Sequence, residues 1–572
     1  MGINVLHRTT NNLCYMINED ELEINILTSY NVQFVYLCWN DPYISYEENN
    51  NVVWKSNKEK PRRCIELPDN KMWRFIIKPL YKRCKYYFMI FTDNEKYLYF
   101  ENGLINYSNK LPEFNLLSFF TYSWMNPADL NQTPNWLKNV TWYQIIIDKF
   151  NNYHKDKLLN NDLYLETKHI NDINEGGDIR GIQEKIPYLH ELGVQGIYLS
   201  PICKANSVHK YDVISYEEID QDLGTEKELI EMIKYSHSYN MKVMFDGVFN
   251  HVSDQSVYWK DVITNGKDSK YFDWFFINEW PINNANDTSY YTYAFFDDLP
   301  KLNTNNDEVI SYLIDRIIKW IRVYDIDGLR IDVGNEVSHK FIRELRTAVK
   351  KEKEDFFLLG ETWMDSIEWL KGDQYDSIMN YKLKNCIDLF WHDGSMSNKE
   401  FMRQINYCYA LYMNQTTQVM FNLLDSHDTD RLLTRSKNNI NVFLQKLALI
   451  FLLPGTPCIM YGTEIGLNGE LNSCRVLMNW DNNDKHYLYN YVKTLINIKK
   501  NNVCYEYAFI NNYENDRIVD ILFVCENNND VVLLINCSES SLVVNLENSK
   551  ILLSNLLNNN ILESDGFVIY QD

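Results

Sequence analysis

The 572-residue sequence lacks several patterns that mark common protein classes. Its twelve cysteines form no Cys-x-x-Cys motif, so a structural zinc site is not expected. It has no run of roughly 20 apolar residues, which a membrane-spanning helix would need. Its first residues show no long apolar stretch behind a basic start, so the sequence predicts no signal peptide. We therefore expect a cytoplasmic protein with reduced thiols and no membrane partner.

The sequence also has fewer basic than acidic residues. The formal net charge is −22 and the pI is near 5.0, which disfavours nucleic acid and anionic membranes as partners. A neutral ligand is compatible with this charge. Hydrophobic residues make up 45% of the chain and aromatic residues 14%, which is enough for large cores. Length and composition therefore predict several folded domains rather than a disordered chain.

Short alternating strands dominate both ends of the chain, and strand–helix units fill the middle. Eight such units predict a TIM (β/α)8 barrel, because strands that alternate with helices form a parallel sheet. The predicted fold class is multidomain α/β, with the barrel flanked by N-terminal and C-terminal β-sandwich domains. The predicted boundaries are 1–122 for the N-terminal sandwich, 123–251 and 306–500 for the barrel, 252–305 for a loop-rich insertion after its third strand, and 501–572 for the C-terminal sandwich.

Acidic residues stand at the ends of three predicted barrel strands. Arg330 and Asp332 lie two residues apart on the fourth strand, so their side chains share one face. Glu361 ends the fifth strand, and Asp428 follows the seventh. An isolated acid of this kind is commonly an ion-pair partner or a helix cap. Because the C-terminal strand ends of a barrel form one rim, the three acids together predict a catalytic site.

Four motifs, in this order, carry a family resemblance: DGVFNH at 246–251, GLRID at 328–332, GETW at 360–363 and LDSHD at 424–428. They resemble the four signature regions of the α-amylase family, and the resemblance runs along essentially the whole chain. LPKLN at 299–303 and DWFFI at 273–277 resemble the branch that contains cyclomaltodextrinases, neopullulanases and maltogenic amylases.

The resemblance implies Asp332 as nucleophile, Glu361 as general acid/base and Asp428 as transition-state stabiliser. A retaining glycosidase holds two carboxyls about 5–5.5 Å apart, one to attack the anomeric carbon and one to protonate the leaving oxygen. We expect crowding by the other two acids to raise the pKa of Glu361. We expect Arg330 to keep Asp332 ionised and oriented.

The same resemblance implies a set of substrate-binding residues, namely Tyr211, His251, Phe275, Phe276, Arg330, Trp363, His427 and Arg475. The aromatic side chains among them suit the C–H faces of sugar rings, and the two histidines suit sugar hydroxyls. Asp246 and Asn250 are expected to brace the site, and Asp212 to support it. Relatives carry acids just before the Cys474–Arg475 pair, but this chain has GELNS there, which weakens the predicted grip on the glycone side.

The loop after the first barrel strand departs from the family pattern. Many relatives bind calcium there, and the resemblance implies a calcium site at Asn152, Gly177 and Asp178. His154 stands where a carboxylate is expected. Because calcium prefers several hard oxygen ligands, this histidine weakens the predicted site. No cofactor is expected to be required.

The leading functional hypothesis is a retaining hydrolase that cleaves α-1,4 bonds in cyclodextrins, maltodextrins or pullulan. An alternative is a mainly transglycosylating enzyme, since another sugar can intercept the covalent intermediate in place of water. A third hypothesis is a non-catalytic glycan-binding relative, which the presence of all three acids disfavours. The expected partners are α-glucan oligosaccharides or cyclodextrins. The N-terminal domain, typical of this branch, also implies a homodimer.

Overall fold

The computed structural model describes residues 2–48, 51–107, 118–154, 173–283, 288–481, 486–510 and 512–571. The chain divides into two compact units. The first contains Met1–Gln132 together with Ile367–Gly372 and Lys399–Thr417. The second contains Thr133–Ser366, Asp373–Asn398 and Gln418–Asp572.

The first unit is built from antiparallel strands. They are β1 (Val5–Leu6), β2 (Cys14–Met16), β3 (Leu22–Thr28), β4 (Phe34–Asn40), β5 (Ser45–Glu48), β6 (Asn51–Trp54), β7 (Asn57–Glu59), β8 (Arg63–Glu66), β9 (Lys71–Ile77), β10 (Cys84–Phe91), β11 (Lys96–Phe100), β12 (Gly103–Asn106) and β13 (Phe120–Tyr122). One sheet has the order β1-β3-β9-β8, with β2 on β3. The other has the order β12-β11-β10-β4-β7, with β13 on β10, and β5 and β6 form a separate hairpin.

The core of this unit lies between the two sheets. Ile24 and Phe75 from the first sheet pack with Val35 and Phe88 from the second, and all four are fully buried. Alternate residues of each strand supply this core, as the period of two in a strand requires. The predicted N-terminal sandwich is therefore confirmed, although the compact unit continues past the predicted boundary at 122.

The second unit contains the parallel barrel. Its eight strands are β14 (Trp142–Ile145), β15 (Gly196–Leu199), β18 (Lys242–Gly247), β19 (Gly328–Ile331), β20 (Phe357–Gly360), β21 (Ser377–Ile378), β22 (Phe421–Leu423) and β23 (Thr456–Met460). Between β15 and β18, the strands β16 (Cys203–Ala205) and β17 (Val213–Ile219) form a separate antiparallel pair. The barrel order is β21-β20-β19-β18-β15-β14-β23-β22, and a parallel bridge between Met379 and Phe421 joins its two ends. The predicted eight-stranded barrel is confirmed.

Helices follow the strands. They are α1 (Ile147–Phe150), α2 (Ile179–Leu192), α3 (Glu226–Ser238), α4 (Val257–Asn265), α5 (Asp307–Tyr324), α6 (His339–Glu352), α7 (Tyr381–Asp393), α8 (Asn398–Ala410), α9 (Asn414–Thr417), α10 (Leu432–Arg435), α11 (Ile440–Leu452) and α12 (His486–Asn501). Local sequence fixes several of their starts: Thr225 and Glu228 form a capping box on α3, and Ser338 caps α6. None of the described helices combines the length and apolar character needed to cross a membrane.

The C-terminal strands form one connected antiparallel sheet. They are β24 (Cys504–Phe509), β25 (Ile518–Cys525), β26 (Val531–Asn536), β27 (Leu542–Val543), β28 (Lys550–Asn558) and β29 (Ile561–Gln571). The order is β24-β25-β26-β29-β27, and β28 also pairs with β29. The C-terminal region is therefore an antiparallel β domain, and its described strands are hydrogen-bonded into one sheet.

Candidate active site

A cavity of about 590 Å³ holds most of the predicted site residues. Its lining includes Tyr211, His251, Asp332, Glu361, Trp363, His427, Asp428 and Arg475. Asp332 directly follows β19, and Glu361 directly follows β20. The structure therefore brings the three acids together at the C-terminal ends of barrel strands, where TIM-barrel active sites lie.

Arg330 contacts two of these acids, Asp332 and Glu361. Its Nη1 lies 2.7 Å from Oδ1 of Asp332 and 2.8 Å from Oδ1 of Asp246, and its Nη2 lies 2.8 Å from Oε2 of Glu361. The guanidinium is fully buried, and it does not line the cavity. The prediction that Arg330 binds substrate needs correction, because every direct contact it makes in the site is with a carboxylate that it orients.

The turn after β19 also positions Glu361. Val333 adopts a positive φ of 46°, and its N–H donates to Oε2 of Glu361 over 2.9 Å. Left-handed backbone is costly for a β-branched residue, and such strain is characteristic of functional sites. A Cβ on the next residue, Gly334, would lie 2.9 Å from Oη of Tyr375 and 3.1 Å from N of Glu361. A larger residue would therefore crowd both Tyr375 and the backbone of Glu361.

The electrostatics of the acid pair follow from burial. Burial raises the pKa of Asp332 well above its ordinary value, Arg330 opposes that rise, and the neighbouring Glu361 carboxylate adds to it. The expected rise in the pKa of Glu361 itself stays a prediction.

His427 belongs to a hydrogen-bonded chain that crosses the barrel. Its Nε2 lies 2.6 Å from Oη of Tyr211 and 3.0 Å from Oδ2 of Asp428, while its Nδ1 lies 2.7 Å from Nε2 of Gln144. Tyr211 donates its single hydroxyl hydrogen to Asp246 over 2.9 Å, so its oxygen accepts from His427. The proton therefore sits on Nε2, and Nδ1 accepts from the amide of Gln144.

Burial keeps His251 and His427 neutral at neutral pH. Burial lowers the pKa of His427 well below 6.5, and Arg475 and Arg330 add to that effect. Burial also lowers the pKa of His251 to about 4. His251 stacks on Tyr293 with ring centres 4.9 Å apart, and its Nε2 lies 3.1 Å from the backbone oxygen of Tyr211. A neutral imidazole can offer a sugar hydroxyl a hydrogen bond without repelling an oxocarbenium-like centre.

Asp428 is held on its other side by Arg475. Nη2 of Arg475 lies 3.3 Å from Oδ1 of Asp428, and its Nε donates to the backbone oxygen of His427 over 3.0 Å. The predicted Arg475 therefore lines the cavity and touches the third acid as well.

The predicted aromatic platforms divide into two groups. Trp363 lines the cavity, donates from Nε1 to Oε1 of Glu361 over 3.1 Å, and stacks on Tyr381 with ring centres 3.6 Å apart. Phe275 is 4% exposed and packs edge-on against Trp259, so the prediction of direct sugar contact is not supported. Phe276 lines a separate cavity of about 560 Å³ and is absent from the lining of the catalytic one. Adjacent residues in an extended segment face opposite ways, and the motif did not reveal which ring faces inward.

Calcium binding stays a prediction, but among the described residues Asp178 of the predicted site already has other partners. Oδ1 of Asp178 accepts from the N–H of Gly181 over 2.7 Å as the cap of α2, and its Oδ2 contacts Nδ1 of His154 at 2.9 Å. Gly177 is required for packing, since a Cβ would collide with the backbone oxygen of Ile147. Oδ1 of Asn152 is buried without a hydrogen-bond partner, but one amide oxygen is far short of a calcium shell. Within the described ranges no group of three or more His, Cys, Asp or Glu side chains could hold a metal ion.

Sequence reasoning missed several cavity residues. They are Ser207, His209, Tyr293, Phe296, Asp298 and Leu299, all on loops, and Leu471, which begins a 3-10 turn. It also missed Gln144, whose side chain on β14 faces the barrel interior and meets His427. The period of two along β14 could have indicated that Gln144 faces inward, because a buried amide needs a partner.

A barrel of this topology, with two carboxyls on one guanidinium and a third acid in the same cavity at its C-terminal rim, defines a glycoside hydrolase scaffold. Comparison with known families agrees: residues 144–503 match the model "Alpha amylase, catalytic domain", and residues 1–126 match "Alpha amylase, N-terminal ig-like domain". The chain belongs to the α-amylase family of glycoside hydrolases.

Individual relatives support the same placement. The chain is 38% identical over 470 residues to the intracellular maltogenic amylase of Bacillus subtilis strain 168, covering 82% of this chain and 78% of that protein. It is 35% identical over 548 residues to a cyclomaltodextrinase of Thermoanaerobacter pseudethanolicus, covering 94% and 93% respectively. A solved cyclomaltodextrinase structure superposes with a TM-score of 0.88 at 30% identity over 99% of each chain.

Proposed function

We propose that this enzyme hydrolyses α-1,4-glucosidic bonds in cyclodextrins, maltodextrins or pullulan, with retention of the anomeric configuration. One observation carries the proposal: buried Arg330 lies within 2.8 Å of both Asp332 and Glu361, and these two acids line the same cavity as Asp428. The relatives named maltogenic amylase and cyclomaltodextrinase support an α-glucan as substrate.

The contacts support a division of labour between the acids. Asp332, paired with Arg330 at 2.7 Å, is the nucleophile that forms the covalent glycosyl-enzyme. Two carboxyls on one guanidinium are separated by little more than the width of that group, which favours the short spacing of retaining enzymes over the wider inverting one. Asp428 stabilises the positive charge that develops on the sugar.

Glu361 is the general acid and then the general base. Its Oε2 lies close to the donors Val333 N–H and Arg330 Nη2, which supports Oε1 as the oxygen that carries the transferable proton. Oε1 also accepts from Trp363 Nε1, which lines the cavity. In the second step Glu361 removes a proton from water, which then hydrolyses the intermediate.

Hydrolysis rates on cyclodextrin, soluble starch and pullulan test the proposal and rank the substrates. We expect new reducing ends from cyclodextrin and maltodextrin, and none from matched reactions with Asp332→Asn protein. Purified, folded enzyme that releases no reducing sugar from any of these glucans would contradict the proposal. Homodimer formation stays a prediction, which light scattering on the same preparation tests.

A further inference from the structure

Two cysteines face each other across neighbouring strands of the C-terminal sheet, far along the chain from the catalytic motifs. Cys504 begins β24 and Cys525 ends β25, and the two are direct partners in the antiparallel register. Each is only 1% exposed, and their Sγ atoms lie 2.7 Å apart. Both are free thiols in this structure.

A buried cation accompanies the pair. Lys499, near the end of α12, is 2% exposed, and its Nζ donates to the backbone oxygen of Leu453 over 3.0 Å. The hydrogen bond from Cys525 lowers the pKa of Cys504, and the positive charge of Lys499 acts in the same direction against the effect of burial. A stabilised thiolate next to a second thiol favours oxidation, and because both sulfurs are buried the oxidant has to be a small molecule.

We propose that Cys504 and Cys525 form a redox modification site that closes to a disulfide when the protein meets a peroxide. Directly opposed residues of antiparallel strands have Cα atoms about 4.5–5.5 Å apart, which lies inside the range that disulfides span. The next cysteine along, Cys537, is turned to another neighbour, since its Sγ lies 3.6 Å from Oε1 of Gln445.

The chemistry balances with hydrogen peroxide as the oxidant. The Cys504 thiolate attacks one peroxide oxygen, the O–O bond breaks, and the departing hydroxide takes up a proton as water. The Cys525 sulfur then displaces the hydroxyl of the resulting sulfenic acid, which leaves as a second water after protonation. The two sulfurs lose two electrons in total, and the peroxide gains two.

The bond would tie β24, the first strand after α12, to the interior of the C-terminal sheet. The pair contributes nothing to the catalytic cavity, so the inference is independent of the proposed glucan chemistry. A small thiol such as dithiothreitol would reopen the bond by exchange.

Thiol titration of the full-length protein in denaturant, before and after a short peroxide exposure, tests this site. We expect the twelve free thiols to fall by two, and the intact mass to fall by about 2 Da for the two hydrogens lost. Peptide mapping should recover Cys504 linked to Cys525. Cys504→Ser should abolish the link and leave glucan hydrolysis unchanged, and Cys537→Ser should form the link as the unmodified protein does.

Lys499→Met provides a second measurement that does not depend on removing a thiol. Loss of the ammonium should slow formation of the link severalfold, because less of Cys504 is thiolate. The proposal is overturned if protein that was folded during the peroxide exposure still has twelve thiols, or if Cys504 is linked to Cys537 instead.

Discussion

The guanidinium of Arg330, on β19, holds at 2.7 Å the carboxylate of Asp332, the residue that directly follows the strand. The strand period of two sends both side chains into the barrel, where burial makes an unpaired charge expensive. Removing one member of a buried ion pair typically costs about 3–5 kcal/mol, so neither residue is free to vary independently. The pair therefore links the stability of the barrel to the geometry of the proposed nucleophile.

Replacement of that nucleophile is the first prediction. Asp332→Asn keeps the size of the side chain but removes the attacking oxygen, so glucan hydrolysis should fall by several orders of magnitude. Initial rates measured at saturating substrate would show the loss in kcat. The matched control is Asp315→Asn on the exposed face of α5, which should keep the original rate. Near-normal turnover by Asp332→Asn would refute the assignment.

Gln144 is predicted to act as a positioning residue for His427. Gln144→Glu replaces the amide N–H that faces Nδ1 with an acceptor, so the imidazole should either shift its proton to Nδ1 or become charged. We expect kcat/KM to fall at least tenfold, which corresponds to about 1.4 kcal/mol of transition-state stabilisation.

Nitrogen-15 NMR of the His427 ring distinguishes this role from a general loss of stability. The unmodified protein should show a neutral ring protonated on Nε2 between pH 5 and 8, whereas Gln144→Glu should show a different tautomer or a titration in that range. Gln255→Glu, an exposed amide-to-acid change, should leave the ring signals unchanged. Identical ring signals in Gln144→Glu and unmodified protein would contradict the positioning role.

Metal removal should leave the enzyme active. One oxygen of Asp178 accepts from the N–H of Gly181 at the start of α2, and the other contacts His154. Because neither oxygen is free for calcium, we expect chelator treatment to change neither the hydrolysis rate nor the melting temperature. His154→Asp restores an oxygen ligand, so this variant alone should gain thermal stability as calcium is added. Loss of activity on chelation, reversed by calcium, would show that the loop binds the ion as it stands.

His7 should make the first unit sensitive to mild acid. Its Nδ1 lies 2.7 Å from the backbone oxygen of Asn25 and its Nε2 lies 2.9 Å from Oη of Tyr86, and burial lowers its pKa from 6.5 to about 4. The unfolded chain therefore binds the extra proton first, and stability present above pH 6.5 is lost as the pH falls towards 4. The loss should amount to about 3 kcal/mol.

Urea unfolding at several pH values measures this effect. His7→Gln should flatten the pH dependence between 6.5 and 4, while His392→Gln, at an exposed position, should retain it. Equal pH dependence in unmodified protein and His7→Gln would contradict the assignment.

The barrel was predictable because its strands are short apolar runs that end in distinctive polar residues. Trp142–Ile145 ends earlier than the sequence suggests, since the apolar run continues through Ile147 into α1. Apolar composition alone does not separate a buried strand from a short buried helix. Grouping of residues 399–417 with the first unit was also not predictable, because tertiary packing decides it.

The acids of the site were predictable from motifs, but their supporting contacts were not. Asp332, Glu361 and Asp428 reached one cavity as expected. Phe275 and Phe276 were misjudged because neighbouring aromatic residues on a loop can each face the core, a cavity or solvent. Gln144 was overlooked because its partner His427 lies 283 positions away in sequence, a pairing that only the closed barrel creates.

The stereochemistry of the first product tests the central claim most directly. Proton NMR, recorded as hydrolysis of a maltodextrin or cyclodextrin begins, reports the anomer released before mutarotation mixes the two forms. A covalent glycosyl-enzyme on Asp332, resolved by water that Glu361 activates, predicts that the α-anomer appears first. Initial release of the β-anomer would contradict the retaining mechanism and the paired roles of Asp332 and Glu361.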